Sequence, residues 1–147
     1  MQIKIICVGK FTKEFLPLAR KYEELLKKLF SFKIVEIKEI TFKDKSVTLK
    51  KEREKIEKYI DKGDNVILCD VKGKNFSSSE EFSEFLYSMQ KVCFIVGSSF
   101  GLSENLIKKY PAISFSKLTF SHQIFRIMLY EQIYRAYCIK TGHPYHK

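Results

Sequence analysis

The feature that most constrains this chain is a regular alternation between short apolar runs and longer stretches with helical spacing. Residues 3–8, 32–40, 65–70, 92–96 and 112–115 read as strands. Residues 12–30, 48–59, 78–88, 103–109 and 121–139 read as helices. In the first helix Phe15, Leu18, Tyr22, Leu25, Leu26 and Leu29 recur at one-turn spacing. The 32–40 run alternates, with Ile34, Glu36, Lys38 and Ile40 on one face and Val35, Ile37 and Glu39 on the other. The 65–70 and 92–96 runs are nearly all apolar, as strands covered on both faces are. Ser78 and Ser103 stand where N-caps belong, and Glu80, Glu81 and Glu84 follow Ser78, as the helix dipole favours. The 48–59 helix has little apolar content and reads as largely solvated. The polar, lysine-rich 41–47 stretch before it reads as a mobile loop. The expected architecture is α/β, a mostly parallel sheet with helices on both faces, in a single domain spanning residues 1–147.

Bulk properties narrow the function classes. Hydrophobic residues make up 45% of the chain, which excludes a disordered composition. No apolar run approaches the roughly 18–20 residues of a membrane-crossing helix. The opening residues read as a strand and not as a signal peptide, so a cytoplasmic setting is expected, with no membrane partner. The four cysteines, at 7, 69, 93 and 138, form no C-x-x-C, and paired histidine spacing is missing, so no metal site is expected. Cys7, Cys69 and Cys93 sit in apolar runs and read as buried free thiols of a reducing compartment. The net charge of +10 suits a polyanionic partner or simply a lysine-rich surface. Charge alone does not choose between the two.

Open α/β sheets bind ligands beyond the carboxyl ends of their strands. Three such ends stand out: Cys69-Asp70 before Gly73, the 97–101 segment with its two glycines, and the 115–120 segment. The 97–101 segment is either a ligand-cradling loop or a glycine-assisted turn into a helix. Ser114, Ser116 and Thr119 alternate with Phe115, Leu118 and Phe120. That pattern fits a loop wrapping an adenosine, or an ordinary strand–helix link. On the final helix His122 and Arg126 are four apart, as are Glu131 and Arg135. Apolar residues run all round that helix, which suggests a second copy of the chain as its partner. The tail, Gly142-His143-Pro144-Tyr145-His146-Lys147, offers an aromatic for stacking on a base and a lysine for phosphate. It is equally readable as a solvated terminus.

Taken together, KIICVGK near the start, ILCDVKGK, FIVGSSFGLSE and the C-terminal SFSKLTFSHQIFRIMLYEQIYRAYCIKTGHPYHK resemble the RlmH family. These are SPOUT-class methyltransferases that act on N3 of a pseudouridine in a 23S rRNA stem-loop on the assembled ribosome. The resemblance covers the whole chain. It implies a deep C-terminal trefoil knot, which pattern reasoning alone does not suggest. It also implies S-adenosylmethionine as methyl donor, held at Cys69, Gly97, Phe115, Ser116, Lys117, Leu118, Thr119 and Phe120. It further implies a homodimer in which the tail of one subunit completes the other's site. The chain departs from the family pattern at three positions: Cys69 replaces leucine, Ser98 replaces the second glycine of a pair, and Ser121 replaces proline. Ser98 is strained if that position needs positive φ.

Methylating an imide nitrogen requires removal of its proton, hence a base or anion-stabilising group close to an in-line donor. His146, with Tyr145 beside it, is the expected base or orienting group. Arg126 is expected to steady the imide anion or a phosphate, and His122 to be structural. The alternatives are a non-catalytic RNA-binding or ribosome-associated α/β module, and a flavodoxin-like nucleotide or FMN binder.

Overall fold

The computed structural model describes residues 1–147. Five strands alternate with five helices: β1 Gln2–Val8, α1 Leu16–Leu29, β2 Ser31–Ile37, α2 Lys45–Glu57, β3 Asn65–Asn75, α3 Ser79–Tyr87, β4 Lys91–Val96, α4 Glu104–Lys109, β5 Ala112–Ser114 and α5 His122–Thr141. The strands form one sheet in the order β2-β1-β4-β3-β5, and every neighbouring pair is parallel.

The centre of the sheet is β4, and its side chains serve two cores in alternation. Val92, Phe94 and Val96 join the larger cluster with Ala19 and Leu26 of α1, Phe82 of α3 and Leu129 of α5. Cys93 and Ile95 join the smaller cluster with Ile56 of α2 and Leu106 of α4. So α1, α3 and α5 cover one face, and α2 and α4 cover the other. Burial pushes the Cys7 and Cys93 thiols up to about 12, so both are neutral at ordinary pH and pack as small apolar groups.

Several boundaries differ from the sequence expectation. β2 ends at Ile37, and Ile40 lies outside it, 38% exposed. α2 starts at Lys45 because the Asp44 side chain accepts from the Ser46 N–H at 2.8 Å. The last three residues of the expected 41–47 loop are therefore helical. α2 is also less solvated than its composition suggests: Thr48, Glu52 and Ile56, one turn apart, form a buried stripe. β3 runs past its apolar part to Asn75, with a break in register between Cys69 and Lys74. That break bends the strand away at the sheet's carboxyl edge. No helix is long and apolar enough to cross a membrane.

Since β4 is covered on both faces, truncating it on either side should be costly. Phe94→Ala and Ile95→Ala should each lower unfolding stability in urea by about 2–5 kcal/mol.

Candidate functional site

A cavity of about 530 Å³ opens at the carboxyl edge of β3, β4 and β5. The volume falls within the roughly 300–1,000 Å³ typical of small-molecule sites. Cys69, Asp70 and Val71 form one side, where β3 bends. Val96, Gly97, Ser98 and Ser99 form the floor. Leu118, Thr119 and Phe120 on the β5–α5 connection, with His122 and Phe125 at the start of α5, close the other side. Walls of this kind offer an apolar slot for a flat ring beside backbone groups that can hydrogen-bond.

The floor is a tight turn. Ser98 O accepts from Gly101 N at 2.9 Å, and Gly101 has φ +80°. A Cβ on Gly97 would overlap the Gly101 carbonyl, so no larger residue fits without displacing the turn. No residue other than glycine has positive φ, so Ser98 carries no such strain. Instead its hydroxyl has partners: it accepts from the Phe100 N–H at 3.3 Å and donates to Glu52 Oε2 at 3.0 Å. Burial raises the Glu52 carboxyl above its ordinary value, the Ser98 hydrogen bond opposes this, and the nearby Glu39 charge adds to it. Burial likewise keeps the Cys69 thiol neutral, so it meets the cavity as an apolar group.

The β5–α5 connection is knitted by its own serines. Ser114 Oγ donates to the Ser116 carbonyl at 2.6 Å, and Ser116 Oγ accepts from the Leu118 N–H at 3.0 Å. Ser121 caps α5 through the Ile124 N–H, which answers for the helix start where the family pattern has proline. Of the eight predicted donor contacts, Cys69, Gly97, Leu118, Thr119 and Phe120 line the cavity. Phe115, Ser116 and Lys117 do not. Phe115 lies behind the wall, stacked on Phe125 at 5.2 Å and edge-on to Phe82 at 5.3 Å.

The tail and Arg126 lie elsewhere. Tyr145 donates from its hydroxyl to Glu131 at 3.0 Å and packs on Tyr134. His146 Nε2 is 2.7 Å from Glu80 Oε1, and Nδ1 is 3.3 Å from Arg135 Nη1. Arginine only donates, so Nδ1 accepts and the imidazole proton sits on Nε2, directed at Glu80. Both ring nitrogens are thus engaged on the chain's own α3 and α5, away from its own cavity. The Arg126 side chain is 4% exposed, 2.6 Å from Glu36 of β2, bonded to Tyr130 at 2.7 Å and stacked over Phe11. The expectation that Arg126 faces an imide anion or phosphate is therefore corrected: its charge is spent inside the core. The partner, Glu36, lies 90 residues earlier in the chain, and no local pattern reveals such a pair.

Sequence reasoning passed over several cavity residues. Asp70 and Ser99 on the cavity wall lie in the strand ends already singled out, but His122, expected to be structural, lines the cavity too, as do Val71 and Phe125. Their nearness to the three strand ends was the available signal, and Phe125 follows His122 by one turn. A parallel α/β sheet with a cavity at this edge, closed by the last loop and helix, defines the class. The family model described as predicted SPOUT methyltransferase matches residues 1–146. The ribosomal RNA large subunit methyltransferase H of Mycoplasmopsis synoviae is 44% identical over 147 residues, all of both chains. The proteins of that name from Caldicellulosiruptor saccharolyticus and Clostridium botulinum strain Kyoto are 42% and 39% identical, covering 99% and 100% of each chain. The chain belongs to the RlmH family of SPOUT methyltransferases. A solved structure described as "Structural insights into the 2-OH methylation of C/U34 on tRNA" shares the fold, with a TM-score of 0.56 at 14% identity over 96% of this chain and 97% of that one.

Removing Arg126 empties the space over Phe11 and takes one hydrogen bond from the Tyr130 hydroxyl, which still donates to Glu23, while half-exposed Glu36 turns to water. Arg126→Ala should cost about 1–3 kcal/mol of stability by chemical denaturation, whatever it does to activity.

Proposed function

We propose that this chain transfers a methyl group from S-adenosylmethionine to N3 of a pseudouridine in a 23S rRNA stem-loop, on the assembled ribosome. It does so as a cytoplasmic homodimer built around a C-terminal trefoil knot. The broader statement, that it is a methyltransferase of large-subunit ribosomal RNA, follows from its family. One observation supports the finer reading most. The 97–101 turn and the β5–α5 connection, separate in sequence, together wall a nucleoside-sized cavity at the sheet's carboxyl edge.

The residues present suit the donor. Cys69, Val96, Leu118 and Phe120 offer an apolar slot for adenine, and the backbone at Gly97 approaches closely because no Cβ intervenes. S-adenosylmethionine supplies an electrophilic methyl group on a sulfonium. Phe115, behind the wall, braces Phe125 and keeps the slot's shape. Ser116 ties the loop backbone, and exposed Lys117 is available for phosphate. The target imide must shed its N3 proton before or during transfer. His146 is the proposed acceptor and Tyr145 its neighbour for orienting or stacking the base. To act as a base His146 must release Arg135, because Nδ1 holds the ring's only lone pair. Because Tyr145 and His146 sit away from their own chain's cavity, the partner copy's tail is taken to complete each site. A base in a loop is splayed out at modest cost, and the +10 charge draws the enzyme to rRNA without regard to sequence.

Mass spectrometry of rRNA nucleosides should show N3-methylpseudouridine in cells with this gene and none in a deletion strain. Its persistence in the deletion strain would rule out the assignment. Calorimetry should show saturable S-adenosylmethionine binding that Gly97→Val abolishes while circular dichroism stays native. His146→Ala should depress turnover and leave donor affinity nearly unchanged; full turnover would remove His146 from the chemistry.

A further inference from the structure

Four charged side chains are buried in this protein: Lys4, Asp64, Glu52 and Arg126. All but Glu52 have counter-ions. Lys4 Nζ lies 2.9 Å from Asp64, and Arg126 lies 2.6 Å from Glu36. Glu52 is 5% exposed and has no cationic group within 4.0 Å. Its only hydrogen bond comes from the Ser98 hydroxyl, and Oε1 is buried without a partner. A buried charge without compensation is expensive, so its place in the fold needs a reason.

The reason lies next door. Ser98 is part of the cavity floor, so one hydroxyl separates the carboxylate from the site. Ser98 Oγ already accepts from the Phe100 N–H, which leaves its proton for Glu52. A donated proton suits the ionised carboxylate. Burial and the neighbouring Glu39 work against that ionised form, while Ser98 and Lys55 favour it. A cation in the cavity would favour it further, and by reciprocity the carboxylate favours the cation. The methyl donor is a sulfonium cation, and the thioether left after transfer is neutral.

We propose that the Glu52 carboxylate, acting through Ser98 on the floor of the cavity, makes the site prefer a cationic methyl donor over its neutral demethylated product. Glu52 touches neither ligand. It is a specificity-determining residue that loads the site with fresh donor and helps release product. The proposal rests on the reading of the cavity as the donor site.

The test is calorimetry on the full-length protein with S-adenosylmethionine and S-adenosylhomocysteine in parallel. Glu52→Gln keeps the side-chain shape and removes the charge. It should weaken S-adenosylmethionine binding roughly tenfold while changing S-adenosylhomocysteine binding by no more than about twofold, as expected for a charge acting across several ångströms of protein. Ser98→Ala, which removes the link, should narrow the same preference and serves if Glu52→Gln folds poorly. Equal weakening of both ligands would overturn the proposal, because a residue that merely supports the turn cannot tell them apart. An unchanged ratio in both variants would also overturn it. If the wild-type protein binds neither ligand, the donor-site reading itself falls, and this proposal with it.

Discussion

The arrangement of the whole protein depends on β4 being covered on both faces. Its side chains point alternately into the cluster under α1, α3 and α5 and into the cluster under α2 and α4. With both faces occupied, and β1 and β3 hydrogen-bonded along its edges, the strand can meet a ligand only at its ends. The carboxyl end runs straight into Gly97. The polar turn that follows cannot continue the sheet, because Ser98 and Gly101 bond to each other. The bend in β3 at Cys69 and the short β5 then leave room beside that turn. The cavity is thus a consequence of where the sheet stops.

Buried charge divides the molecule into parts that hold and parts that act. The Arg126 guanidinium joins α5 to β2 and to the Tyr130 hydroxyl, and so fixes the helix whose first turn walls the cavity. Lys4 and Lys91 do similar work at the opposite end of the sheet through Asp64. The tail is secured differently, by exposed or half-buried groups: Glu80 to His146, and Glu131 to Arg135 and Tyr145. Partly solvated pairs of this kind hold weakly, so the tail is the part best able to exchange partners.

Much of the fold was legible because its signals are local. Strand alternation, helical spacing and the serine caps at Ser78 and Ser103 each depend on neighbours in sequence. The errors occurred where distant contacts took over. α2 looked solvated because its inward stripe of Thr48, Glu52 and Ile56 is mostly polar, and only the 97–101 turn explains the glutamate. β3 looked shorter because its polar second half pairs with β5 and not through apolar packing. Arg126 looked available because its counter-ion comes from a strand far away in the chain.

From the sequence alone came the alternation that selects a parallel α/β sheet, the three strand ends where a ligand can bind, and the motifs that carry the family resemblance. Periodicity, glycine placement and caps are properties of short segments, so they can be read there. The tertiary structure alone decided which of those residues share a cavity, and it placed Phe115, Ser116 and Lys117 off its wall and His122 on it. It also turned Arg126 into the core and set Glu52 against Ser98. Those outcomes depend on the directions of side chains from elements far apart in the chain. Packing and charge pairing fix such directions only once the sheet has assembled.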